Sequence, residues 1–72
     1  MIYTVLVFDG EPEEGGYWAK VVELPGCYTQ GETIEEIEEN VKDAIDTYLG
    51  ALEELGEPPP PQATRKLEIV VG

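Results

Sequence analysis

The sequence contains no histidine and only one cysteine among its 72 residues. Histidine is the commonest acid–base residue and the commonest transition-metal ligand, so its absence removes the usual centre of both kinds of site. Cys27 has no histidine to activate it as a nucleophile, and a lone cysteine cannot form an intrachain disulfide. We therefore expect no catalytic residues, no metal site and no cofactor, and we interpret Cys27 as a packed turn residue.

Basic residues are also scarce, because 4 Lys and Arg face 16 Asp and Glu and the net charge is −12. Binding of nucleic acid requires phosphate neutralisation, for which Lys20, Lys42, Arg65 and Lys66 are too few and too scattered. Binding to an anionic membrane is disfavoured for the same reason. The charge favours a basic protein partner, although acidity that only maintains solubility is the alternative.

Long apolar runs and a basic N-terminal leader are absent as well. No run reaches the roughly 18 residues that are needed to cross a membrane, and the first residues do not resemble a signal peptide. We therefore expect a small cytoplasmic protein with no direct contact to membranes or nucleic acid.

The residues that are present predict one α+β domain over 1–72, with the element order β-β-β-α-β. Segments rich in β-branched and aromatic residues predict the strands, and Pro25-Gly26 ends the second of them. An acidic loop joins the first two strands into a hairpin. The predicted strands are 2–8, 17–24, 27–30 and 66–71.

A long helix follows the third predicted strand. Thr33 is a good N-cap with Glu36 in a T-x-x-E capping box, and Gly56 suits the C-cap. Apolar residues between Ile34 and Leu55 recur at helical spacing over an arc of roughly 140°, wide enough to pack on one face of a mainly antiparallel sheet. Pro58–Pro61 is interpreted as a rigid connector rather than as a ligand for aromatic grooves.

Strand alternation divides the sheet into two faces. The face predicted to lie under the helix comprises Tyr3, Val5, Val7, Tyr17, Ala19, Val21, Leu67, Ile69 and Val71. The opposite face would expose a contiguous apolar patch larger than monomers usually carry, so we predict a homodimer or higher homo-oligomer. The alternative is that the tail or the loops cover this patch. The predicted self-association residues are Ile2, Leu6, Phe8, Trp18, Val22 and Val70.

Acidic residues dominate the side of the helix opposite its apolar stripe. Like-charge pairs at i,i+4 each cost roughly 0.2–0.5 kcal/mol, so their excess fits electrostatic steering of a basic partner. A merely solvated face is the default interpretation of such a helix. The predicted partner-binding residues are Glu13, Glu14, Glu35, Glu39, Asp43 and Asp46.

One catalytic alternative remains, a residual metal-dependent nuclease. Two-metal nucleases hold inward-facing carboxylates on rigid strands, and the strand candidates here are Asp9, Glu23 and Glu68. Such an activity would appear as Mg²⁺-dependent RNA cleavage that is lost on changing Asp9 or Glu23. The sequence favours a protein that is not an enzyme.

An ordered set of motifs resembles the N-terminal domain of HicB antitoxins. The motifs are Tyr17-Trp18-Ala19, Glu23-Leu24-Pro25-Gly26-Cys27, Thr29-Gln30-Gly31-Glu32-Thr33 and Ala44 with Tyr48-Leu49. The resemblance covers nearly all of the chain. It implies a partial ribonuclease H-like fold without that enzyme's catalytic carboxylates. It also implies a partner, the small basic toxin HicA, which cleaves messenger RNA.

Typical members of that family continue into a C-terminal DNA-binding domain, which has no counterpart in these 72 residues. We therefore expect a short stand-alone member that does not bind operator DNA. Two hypotheses follow: an antitoxin-like domain that occludes a HicA-type toxin through its acidic surface, or an orphan module that binds another protein or a small ligand. A basic product of the adjacent reading frame would favour the first.

Overall fold

A three-stranded antiparallel sheet followed by one long helix makes up the ordered framework. The computed structural model describes residues 2–72, so residue 1 of the predicted domain lies outside the described residues. The strands are β1 (Val5–Asp9), β2 (Tyr17–Val21) and β3 (Tyr28–Gly31), arranged in the order β1-β2-β3. The helix α1 spans Ile34–Leu55. The predicted α+β class and its first four elements are confirmed.

The register of β1 on β2 fixes which side chains share a face. Val5 pairs with Val21 and Phe8 pairs with Trp18, so alternate side chains of both strands point to the same side of the sheet. Ala19 and Val21 are buried on the helix side, whereas Phe8 and Trp18 are exposed on the other. The predicted separation of the two faces is therefore correct for this hairpin.

The turn between β2 and β3 inserts two side chains into the core. The amide of Val21 donates to the carbonyl of Cys27 at 3.0 Å, and Gly26 takes a φ of 80°, which favours glycine. Leu24 and Cys27 are both buried, which confirms the interpretation of Cys27 as a packed residue. Burial raises the pKa of the Cys27 thiol, so the thiol stays protonated and unreactive near neutral pH.

Both ends of α1 are capped as predicted. The Thr33 hydroxyl accepts a hydrogen bond from the amide of Glu36 at 3.1 Å. At the other end Gly56 adopts a left-handed φ of 72°, and its amide donates to the carbonyl of Glu53 at 3.0 Å. The caps satisfy backbone groups that a helix of any sequence leaves unpaired at its ends.

The helix lies over β3 and β2 and does not reach β1. Ile37 and Val41 are its buried residues, and Val41 packs with the core cluster that Val21, Leu24 and Cys27 form. On the helix side of the sheet, where α1 leaves β1 uncovered, the Val7 side chain remains 42% exposed. The prediction that Val7 belongs to the core is therefore wrong, because the helix is offset from the strand that carries it.

The predicted final strand, 66–71, is not a strand within residues 2–72. Its Leu67, Ile69 and Val71 were predicted to be core residues, but they are between 73% and 86% exposed. The side chain of Gln62 donates to the carbonyl of Ile2, so the chain reaches the beginning of the sheet's β1 edge. The following residues do not pair with that edge, and a strand forms only where a neighbour completes its hydrogen bonds.

Glu23 links the β2–β3 turn to the segment before β1, since its carboxylate accepts a hydrogen bond from the Thr4 amide at 2.7 Å. Burial raises the pKa of Glu23, but hydrogen bonds from the backbone and side chain of Thr4 outweigh that effect, and the net pKa lies below its ordinary value. The bond therefore stabilises the fold above the ordinary glutamate pKa of about 4.3. This contribution is lost as the pH falls through the folded-state pKa.

We expect Glu23→Gln to lower the free energy of unfolding at pH 7 by about 0.5–1 kcal/mol. This is less than for a buried charged hydrogen bond, because solvent screens this half-exposed group. Urea unfolding at pH 7 and pH 3 measures the effect, which should shrink at the lower pH. Glu13→Gln is the matched control, because it removes the same charge from an exposed loop position. Equal changes in the two variants at both pH values would contradict the role of the Thr4 hydrogen bond.

Candidate functional site

The outward side of α1 carries four of the six predicted partner-binding residues. Ile37 and Val41 face the sheet, so side chains two positions away from them lie on the opposite side of the helix. All four are exposed. Lys42 is the one basic residue of α1 and lies among these carboxylates, but among residues 2–72 the one ion pair within 4.0 Å joins Lys66 to Glu68. The four residues are Glu35, Glu39, Asp43 and Asp46.

The other two predicted residues, Glu13 and Glu14, lie on the loop between β1 and β2. The carbonyl of Glu11 accepts hydrogen bonds from the amides of Glu14 at 3.0 Å and Gly15 at 2.9 Å, which winds the loop into a tight turn. The amide of Gly10 donates to the carbonyl of Gly16 at 3.0 Å and closes the base of the turn. Glu13 and Glu14 are exposed as a result.

This loop approaches the beginning of α1 because two glycines permit close contact. A Cβ atom at Gly16 would lie 3.0 Å from the carbonyl oxygen of Gly31. A Cβ atom at Gly31 would lie 3.0 Å from the Cβ of Glu36. Gly16 also has a φ of 72°, a conformation that other residues rarely adopt. The loop, the end of β3 and the first turn of α1 therefore meet at one place.

An open cleft of about 470 Å³ lies at this junction, which we call the acidic cleft. Its charged residues are Glu14, Glu32 and Glu36. Asn40 also lines it and donates from its side chain to the carbonyl of Gln30 at 2.8 Å, which fixes the helix to β3. Carboxylates near a helix N-terminus are favoured by the helix dipole, so these charges are stable in place.

The acidic cleft includes two residues, Glu32 and Glu36, that were not among the predicted site residues. Of the predicted ones only Glu14 lines it, whereas Glu13 lies on the loop and the others follow the outward side of α1. The pair Gly16 and Gly31, whose close contacts only the structure reveals, is the feature of the sequence that marks this cleft. Within residues 2–72 no group of three or more His, Cys, Asp or Glu side chains is placed to hold a metal ion.

A second exposed surface, which we call the outer sheet face, lies opposite the helix. Phe8 and Trp18 stack with ring centroids 4.4 Å apart, and Tyr28 continues the aromatic row at 6.2 Å from Trp18. The ammonium of Lys20 lies 5.9 Å from the Phe8 ring centroid, within cation–π distance. Tyr28 was missed because its strand is short. The outer sheet face comprises Leu6, Phe8, Trp18, Lys20 and Tyr28.

The predicted self-association residues divide between two places. Leu6, Phe8 and Trp18 lie together on the outer sheet face, and Val22 lines a shallow groove beside Leu6 and Lys20. Ile2 and Val70 are exposed outside the three strands, so the structure does not bring them into this surface.

Within residues 2–72 no helix is long enough and apolar enough to cross a membrane.

Comparisons with known proteins place these features in a family. The model of a family described as HicB_like antitoxin of bacterial toxin-antitoxin system matches residues 3–71. A UPF0150 protein of Thermoplasma acidophilum is 42% identical over 57 residues, which cover 79% of this chain and 80% of the relative.

Two further UPF0150 proteins match shorter stretches. The protein of Helicobacter pylori is 51% identical over 43 residues, 60% of this chain and 60% of the relative. The protein of Archaeoglobus fulgidus is 51% identical over 37 residues, 51% of this chain and 54% of the relative. In these two comparisons the chain spans less than two thirds of the relative's length.

The close approach of the loop to α1 predicts a large difference between two glycine substitutions. Gly16→Ala forces a side chain into a left-handed conformation and against the Gly31 carbonyl, so we expect a loss of about 1–2 kcal/mol in the free energy of unfolding. Gly50→Ala is the control, since an added Cβ there meets nothing within 4 Å and alanine favours the helix by about 1 kcal/mol. Urea unfolding measures both, and a neutral Gly16→Ala would contradict the described junction.

Proposed function

The chain belongs to the HicB-like antitoxin family of bacterial toxin–antitoxin systems, and from that premise we propose that it neutralises a small basic toxin by covering the toxin's RNA-binding surface. The observation that carries the proposal is the predominantly acidic surface formed by the loop, the acidic cleft and the outward side of α1, where Lys42 is the one basic residue. We call this continuous region the acidic surface. It supports binding of a basic protein independently of the family assignment.

Electrostatic complementarity explains how such a surface acts. A toxin that cleaves messenger RNA must present Lys and Arg to the phosphates of its substrate. An acidic protein competes for the same cations, is attracted to them at long range, and excludes RNA once bound. The helix contains eight acidic residues and one basic residue, Lys42, so it presents little charge of the opposite sign to weaken this attraction.

Repulsion between neighbouring carboxylates of the acidic surface lowers the stability of the helix. The presence of these residues despite that cost also favours a role in binding. Neighbouring carboxylates one helical turn apart, such as Glu35 with Glu39 and Glu39 with Asp43, repel each other by roughly 0.2–0.5 kcal/mol per pair. A buried core of a few side chains leaves a domain of this size a small margin of stability. A helix selected for stability alone would contain more lysine at these positions.

We propose occlusion rather than catalysis as the mechanism. The carboxylates of the acidic cleft come from a loop and a helix terminus, whereas metal-dependent nucleases hold theirs on rigid strands. The sequence contains no histidine that could act as an acid or base. The protein would act in the cytoplasm, where the messenger RNA substrate of such a toxin is found.

We further propose that residues 1–72 act as one HicB-like domain that associates with itself. The stacked aromatic side chains of the outer sheet face support this, because an exposed row of Phe8, Trp18 and Tyr28 is of the kind that protein interfaces bury. This face lies on the opposite side of the sheet from α1. Self-association there leaves the acidic surface free for a toxin.

Charge reversal tests the acidic surface. The variant Glu35→Lys, Glu39→Lys and Asp43→Lys should lower the association rate constant for the basic product of the adjacent reading frame by about tenfold or more at low salt. The dependence of that rate on ionic strength should also become weaker, because electrostatic steering is screened by salt. Stopped-flow or surface-based kinetics across a salt series measure both effects.

The control reverses three carboxylates at the far end of α1 and just beyond it: Glu53→Lys, Glu54→Lys and Glu57→Lys. It changes the net charge by the same amount but leaves the loop, the cleft and the first turns of the helix intact. We expect a clearly smaller effect on the association rate. Equal rates for the two triple variants would show that the rate follows net charge and would contradict a specific role for Glu35, Glu39 and Asp43. No binding by the unaltered protein would favour an orphan module instead.

A further inference from the structure

Two segments with apolar side chains have backbone groups that no neighbouring strand pairs in the structure. One is β1, which lies at the edge of the sheet and pairs only with β2. The other is the segment 66–71, which we call the C-terminal arm. Each has the composition of a strand, and each would satisfy the unpaired backbone groups of the other.

The free edge of β1 lacks a proline, a lysine and a covering helix, three of the features that protect edge strands. Natural proteins block such edges with proline, inward-pointing charges or a covering helix. The β1 sequence is Val-Leu-Val-Phe-Asp, without proline or lysine. The helix does not reach it, and Val7 is half-exposed on the side where a cover is missing.

The C-terminal arm has the complementary pattern. Its sequence Lys-Leu-Glu-Ile-Val-Val places Leu67, Ile69 and Val71 on one side, and its apolar residues are 73–97% exposed. The arm follows the stiff Pro58–Pro61 connector, and the bond from Gln62 to the Ile2 carbonyl holds its root near the beginning of β1. The arm nevertheless stays off the β1 edge of its own chain.

The radius of gyration and the exposed area of the single chain indicate how much surface a partner could bury. Its radius of gyration is 14.1 Å, against about 11 Å for a compact domain of this length. It exposes 5949 Å², whereas a compact monomer of this mass exposes about 4,400 Å². The excess in two chains is roughly 3,000 Å², which exceeds the 1,200–2,000 Å² of a standard stable interface.

From these observations we infer that the partner is a second copy of this chain, and that two copies exchange their C-terminal arms. Each arm adds to the β1 edge of the other chain as a fourth strand. Leu67, Ile69 and Val71 then cover the helix side of β1, including Val7, and Val70 extends the outer sheet face beside Leu6 and Phe8. The exchange is reciprocal, so it closes as a twofold dimer and leaves neither β1 edge open.

The distribution of charge along the chain also favours a second copy as the partner. Arg65 and Lys66, at the root of the arm, are half of the four basic residues in a chain of net charge −12. A second copy presents an acidic body to them, which offsets part of the repulsion between two like-charged chains. The inference goes beyond toxin neutralisation and does not depend on it.

Hydrogen exchange at several protein concentrations, measured together with sedimentation, tests the inference on the full chain. We expect the amides of 66–71 and of β1 to become protected together as concentration rises and as the dimer forms. Ile69→Lys should raise the dimer dissociation constant about tenfold or more, because it removes one buried aliphatic side chain from the contact. Glu68→Gln is the control, since it makes the same change in charge on the arm's other side and should retain the dimer.

Every other outcome overturns the inference and identifies the alternative. Arm protection that is independent of concentration, in a monomer, would show that the arm pairs with its own β1. A dimer with an unprotected arm, weakened by Trp18→Lys but not by Ile69→Lys, would show contact through the outer sheet face alone. A monomer with an unprotected arm would leave both segments without a partner. The arm lies outside the core, so circular dichroism should show the helix unchanged in each variant.

Discussion

The packing of α1 on β2 and β3 is the constraint on which the rest of the structure depends. Val41 packs against Val21, Leu24 and Cys27, and Ile37 is buried one turn earlier on the same side of the helix. These two buried positions fix the rotation of the helix about its own axis. With that rotation fixed, the carboxylates on the opposite side of the helix must point to solvent. The acidic surface is therefore a direct consequence of how the core is built.

The same packing leaves one edge of the sheet incomplete. The helix covers two of the three strands, so β1 keeps an uncovered apolar side and an unpaired backbone edge. The outward side of α1 and this edge lie on different elements, so the proposed toxin contact and the proposed contact with a second copy use different residues. A small domain with a core of few residues gains stability from such an association.

Local chemistry made the first four elements predictable from sequence, whereas tertiary placement decided the rest. Thr33 and Gly56 mark the helix ends because capping depends on neighbouring residues only. The exposure of Val7 could not be predicted, since periodicity gives the orientation of a helix but not its position across a sheet. The arm has strand composition, but its pairing partner is not encoded locally. Glu32 and Glu36 join Glu14 only because Gly16 and Gly31 permit close contact.

The most direct test of the central claim is a map of the surface that the toxin contacts. Nuclear magnetic resonance spectra of the ¹⁵N-labelled chain, titrated with the basic product of the adjacent reading frame, report each backbone amide separately. The account predicts shifts concentrated in the 10–16 loop, around the acidic cleft and along the outward side of α1. Shifts confined to the outer sheet face, or a titration without any shifts, would contradict it.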